Sequence, residues 1–125
     1  MKLEFLASGS PDCPLIRLFA FNGEEVSRLK ILLRSMCSGS ANNVALHAQP
    51  GFEQVNACRL YFRAGQSDKG LRAVAPGVFA GVLTEYAWDT MAELVEPLCQ
   101  PDAQGYQWLN ESAGIGLLLS HDGKW

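Results

Sequence analysis

Apolar positions along this chain shift between a period of two and a period of three to four, and the shifts mark its elements. Leu3 and Phe5 alternate with Lys2 and Glu4, as in a short strand with one wet face. From 15 to 21 both alternating sets are apolar except for Arg17, which predicts a second strand covered on both faces. Asn22 then stands three residues before Glu25, a capping box, with Phe21 placed to staple onto Val26. The spacing of Val26, Leu29, Leu33 and Met36 predicts a helix over about 23–37 with one buried stripe, and Gly39 suits its end. A second passage of this kind starts at the β-rich run Val78-Phe79-Ala80-Gly81-Val82-Leu83 and crosses Thr84, one candidate helix cap, with Thr90 and Glu93 offering a second, later capping box. Beyond it Trp88, Met91, Val95 and Leu98, widened by Ala92 and Leu94, form one apolar face, while Asp89, Glu93 and Glu96 point away. This helix spans about 85–97, and Pro97, which lacks an amide donor, ends or kinks it near Glu96.

The remaining segments read as strands and turns. A third strand is expected over 42–48, with His47 facing away from the core, before Gln49-Pro50-Gly51 breaks it. Cys58, Leu60, Phe62 and Ala64 alternate with Arg59, Tyr61 and Arg63, a half-buried strand whose outer face is basic and aromatic. The stretch 65–70 reads as a hairpin loop into a strand over 71–74, and Pro76-Gly77 as the next turn. Strands over 106–109 and 115–119 flank a turn at 110–114, and Asp122-Gly123 lets Trp125 fold back. Together these predict an α+β fold, a two-layer sandwich in which two helices roof one mainly antiparallel sheet of about six to eight strands. Leu3-Glu4-Phe5-Leu6-Ala7 and Leu60-Tyr61-Phe62-Arg63-Ala64 share the frame L-x-F-x-A, which leaves open a repeated ββαβ unit.

Composition narrows the function classes. At 125 residues, 48% hydrophobic and 18% charged, the chain fits one ordinary globular domain over 1–125. A net charge of −3 with dispersed Lys and Arg argues against a nucleic-acid binder. No apolar run is long enough to span a membrane, and Glu4 interrupts any leader-like start, so a cytoplasmic location is expected. None of Cys13, Cys37, Cys58 and Cys99 lies at zinc-ligand spacing from another, and they are expected as buried, reduced thiols. Asn110-Glu111-Ser112 matches a glycosylation acceptor, without meaning in that compartment. With two histidines and no helical His pair, no metal is expected, and no cofactor either.

Three groups of residues carry candidate chemistry. Arg59, Tyr61 and Arg63, joined across the expected hairpin by Arg72, combine forked donors with a flat ring, as an anion, an acidic protein segment or a nucleotide requires, although a solvated strand face accounts for them too. His121 and Asp122, preceded by Ser120, set a base beside a carboxylate, with Ser120 or Cys13 as a conceivable nucleophile, although a β-turn accounts for Asp122-Gly123. Gly114-Ile115-Gly116 leads into a strand rather than a helix, so it is not a dinucleotide fingerprint. Trp88, Trp108 and Trp125 are together candidates to line a pocket for a flat ligand, against which Trp88 is expected in the core and Trp125 exposed or packed across an interface. The expected function is a non-enzymatic protein-binding or self-association module. The alternatives are a small hydrolase or transferase at His121 and Asp122, or a ligand pocket between sheet and helices.

Overall fold

A computed structural model describes residues 1–111 and 114–125. In order it contains β1 (Lys2–Leu6), β2 (Leu15–Phe19), α1 (Gly23–Ser38), β3 (Asn43–Ala45), β4 (Glu53–Gln54), β5 (Arg59–Ala64), β6 (Gly70–Ala75), β7 (Val78–Leu83), α2 (Glu85–Val95), β8 (Tyr106–Asn110) and β9 (Gly116–Ser120). The fold is α+β. Ser112 and Ala113, within the turn expected at 110–114 and the Asn110-Glu111-Ser112 triplet, lie outside the described residues.

The capping signals place both helices. The Asn22 side chain accepts from the Glu25 amide (2.9 Å) and the Glu25 carboxylate accepts from the Asn22 amide (3.1 Å), so the capping box is closed in both directions. Thr84 caps α2 by accepting from the Ala87 amide (3.3 Å). The helix ends at Val95, and Pro97 carries the chain through a 3-10 turn, Glu96–Cys99. Val26, Leu29, Leu33 and Met36 of α1, with Trp88, Met91, Ala92 and Val95 of α2, are buried in one hydrophobic cluster shared with strands of both sheets. On their outer sides the helices are linked by the ion pairs Arg34–Asp89 and Lys30–Glu96.

Sheet organisation departs from expectation. Instead of one mainly antiparallel sheet there are two mixed sheets, a five-stranded one in the order β4-β1-β2-β9-β8 and a four-stranded one in the order β3-β5-β7-β6. Three neighbour pairs are parallel: β1 with β4, β2 with β9 and β5 with β7. Local patterns of alternation specify which face of a strand is buried but not which distant strand it pairs with, so these crossovers were hidden. The expected hairpin over 65–70 is therefore not one. β7 lies between β5 and β6, and the tight antiparallel pair is β6 with β7, joined at Pro76-Gly77 where Gly77 has φ +71°. The third strand stops at Ala45, after which Leu46–Ala48 forms a 3-10 turn.

A repeat does exist in the topology, in a phase other than the L-x-F-x-A frame. The antiparallel pair β1-β2, helix α1 and the antiparallel pair β3 with β5 correspond in order to β6-β7, α2 and β8-β9. Each half places its first pair in one sheet and its second in the other, and the halves meet through the parallel contacts β2 with β9 and β5 with β7. Asn22 and Thr84, Val26 and Trp88, Leu29 and Met91, and Leu33 and Val95 fall at one constant offset. The shared frame instead lies on β1 and β5, the first and last strands of the same half, which do not correspond in the repeat. Among the described residues no helix is long and apolar enough to cross a membrane.

Candidate functional site

Period two in β5 builds the site. Leu60 and Phe62 are fully buried, and the Phe62 ring lies 4.7 Å from that of Trp88, whose indole N–H donates to the Arg63 carbonyl (3.2 Å). Burying a large apolar side chain stabilises by about 1.5–3 kcal/mol, and a one-residue slip would exchange Leu60 and Phe62 for Tyr61 and an arginine. The register is thus held, and Arg59, Tyr61 and Arg63 must point outward.

The flanking strands extend this outer face with small residues. Val78, Ala80 and Val82 of β7 stand opposite Arg59, Tyr61 and Arg63, while Asn43 and Ala45 of β3 stand opposite Arg63 and Tyr61. Arg72 of β6 stands opposite Ala80, so it shares a row with Tyr61, two strands apart instead of next to it across a hairpin. All four predicted residues therefore occupy one face. Two strand spacings separate Arg72 from Tyr61, roughly 10 Å, enough for an extended chain to lie between them.

Tyr61 is held in place on its far side. The His47 ring meets it edge-on at 5.0 Å between centroids, and His47 Nδ1 lies 3.1 Å from the Leu60 amide nitrogen and 3.3 Å from the Leu60 carbonyl oxygen, which anchors the imidazole to the main chain of β5. The Arg63 guanidinium lies 5.7 Å from the Tyr61 ring centre. Among the described residues, Arg59, Arg63 and Arg72 form no ion pair. No strand of the four-stranded sheet carries an acidic residue. The carboxylates gather elsewhere, on α1 at Glu24 and Glu25 and on α2 at Glu85, Asp89 and Glu93.

The five-stranded sheet makes an instructive contrast. Its outward arginine, Arg17, donates to Glu4 (2.7 Å) and to the Gly123 carbonyl (2.7 Å), and its guanidinium stacks 4.2 Å over Phe19. The segment 121–125 folds across this face, pinned by Ser120 Oγ donating to the Lys124 carbonyl and by Trp125 Nε1 donating to Asp12 (2.9 Å). One sheet thus has the part of its outer face around Arg17 covered by its own chain; the other leaves three guanidinium groups facing water.

Ser120, His121 and Asp122 form a turn. Asp122 Oδ1 accepts from the Lys124 amide (3.0 Å) and lies 3.4 Å from Ser120 Oγ, and the amide bond holds its carboxyl below the usual range. The His121 ring packs edge-on against Phe21 at 5.7 Å, and among the described residues its side chain has no hydrogen bond to Ser120 or to a cysteine. Trp88 is completely buried, as expected, while Trp108 and Trp125 line an open groove on the five-stranded sheet. A further cavity, overlooked in the sequence, lies beside α1 between Leu29, Ile31 and Leu32 and the Pro50 and Phe52 loop. All four cysteines are free, but only Cys58 is buried; Cys13, Cys37 and Cys99 are partly exposed. Against models of known protein families, curated proteins and solved structures the chain finds no match, so any functional reading rests on this geometry.

Proposed function

We propose that this chain is a non-enzymatic binding module whose four-stranded sheet captures an extended acidic segment of another protein. The observation that carries this reading is the unpaired trio Arg59, Arg63 and Arg72 on a face without a carboxylate, in a chain whose net charge is −3. Arginine gives planar, two-pronged recognition of carboxylates, and the oriented Tyr61 ring offers a flat contact for an apolar or aromatic neighbour on the same segment. Charge segregation favours a protein over a nucleic acid as occupant, because the acidic helices oppose the long polyanion that three cations alone would have to hold. The same reading takes residues 1–125 as one domain working in a reducing compartment such as the cytoplasm, in keeping with a single core cluster and free thiols.

Fluorescence anisotropy with a labelled Glu-rich peptide tests the proposal. Arg59→Glu with Arg63→Glu should weaken binding by at least roughly tenfold, since each exposed ion pair contributes up to about 1 kcal/mol and reversal adds repulsion. The melting temperature should stay close to that of the parent, because both side chains are exposed. Equal binding by parent and double variant would sink the proposal, as would tighter binding of a single-stranded oligonucleotide than of the peptide. A gain in molecular mass without any peptide, abolished by the same two substitutions, would replace the partner with a second copy of the chain.

A further inference from the structure

The groove on the opposite sheet presents a different chemistry. Tyr106 and Trp108, two residues apart on β8, share the outer face of the five-stranded sheet, and Trp125 returns to the same groove at the end of the chain. The three rings line a space of about 600 Å³, and among the described residues none of them stacks on another. Trp108 lies close over Gly116, where a β-carbon would come within 2.9 Å of its ring, so the glycine is what lets the indole approach the sheet. Asp12 fixes Trp125 by accepting its indole N–H (2.9 Å), and Asp12 is itself placed by its amide donating to Ser10 Oγ (3.1 Å). Asp12 and Trp108 also line the adjoining depression, whose other wall carries Glu111. Indole and phenol faces are electron-rich, and rings set around an open space beside a carboxylate form the environment that holds a weakly hydrated organic cation.

We propose that the groove between Tyr106, Trp108 and Trp125 binds a quaternary or methylated ammonium group, with Asp12 supplying the counter-charge. A compact ammonium with strong hydration is disfavoured, because the indole faces of Trp108 and Trp125 offer no lone pair to replace its water and Asp12 already accepts from Trp125; methyl groups lower that penalty and add apolar contact. Lys124 lines the same groove and opposes a bound cation. This site stands apart from the arginine face and is independent of the function proposed for it.

Titration of the intact chain with choline chloride, followed through the tryptophan indole N–H resonances, tests the site. The comparison ligand is 3,3-dimethylbutan-1-ol, which has the same shape with carbon in place of the charged nitrogen. Choline should shift the Trp108 and Trp125 signals saturably, leave Trp88 unmoved, and bind roughly fivefold or more tightly than the neutral alcohol. Asp12→Asn, which keeps the acceptor for the indole but loses the charge, should weaken choline severalfold, and Lys124→Ala should tighten it. Trp125→Leu should weaken binding; because it also removes the indole bond to Asp12, its melting curve is recorded beside the titration to separate loss of the ring from release of the segment 121–125. Equal affinity for choline and the alcohol, absence of saturation, or indifference to both Asp12→Asn and Trp125→Leu would overturn the proposal.

Discussion

Glu25 shows how one side chain ties sequence signal to stability. Desolvation acts to raise its pKa, but the Met1 ammonium, the Asn22 amide and Arg28 together outweigh it, and the carboxyl is held below the usual glutamate value. A carboxyl depressed in the folded state contributes stability that is present above its unfolded pKa and lost as pH falls through the folded one. Urea melts of Glu25→Gln should thus show a deficit at pH 7 that closes below about pH 4; a deficit unchanged down to about pH 2 would contradict the assignment. Cys58 makes the opposite case, since burial pushes its thiol up to about 11. With a disulfide-exchange reagent at about pH 8, Cys58 should be the last of the four thiols to react, released only on unfolding. Its early modification would show that the packing around it opens readily. Asn22, Glu25 and Trp88 were legible in the sequence because caps and apolar stripes are local. The partial exposure of Cys13, Cys37 and Cys99 was not, since nothing local distinguishes a buried thiol from one at the margin of a core.

At the scale of elements, the start of α1 presses against the turn that follows α2. A β-carbon on Gly23 would lie 2.6 Å from the Cys99 carbonyl oxygen and 3.1 Å from that of Gln100, both main-chain atoms that cannot rotate away. Alanine is the better helix former by about 1 kcal/mol, so propensity alone predicts that Gly23→Ala stabilises. Overpacking of this kind costs about 1–3 kcal/mol and should win, giving a lower denaturation midpoint. A raised midpoint would mean that the two segments are free to separate. Helix positions were readable because their apolar period runs within the sixteen residues of α1 and the eleven of α2 and their caps adjoin them directly. Strand partners were not: the β2 with β9 and β5 with β7 contacts join segments from opposite halves of the chain, and the tempting 65–70 hairpin encloses a strand inserted from later in the sequence. Arg72 reached the right face for an incorrect reason, because an outward position on either neighbour of β7 faces the same solvent.

Over the whole molecule, averaging conceals what topology separates. A net charge of −3 points away from an anion-binding surface, yet layering puts carboxylates on the helices and leaves the four-stranded sheet with none. The two sheets differ in what covers them: the outer face of the five-stranded one carries the returning segment 121–125 over Arg17, whereas Arg59, Arg63 and Arg72 of the four-stranded one meet water. An amide chemical-shift map recorded while a Glu-rich peptide is added, at low and at high salt, tests this division most directly. The account predicts shifts confined to β3, β5, β6 and β7, fading as salt screens the exposed charges. Shifts centred on the helices or on the five-stranded sheet, or a response indifferent to salt, would contradict it.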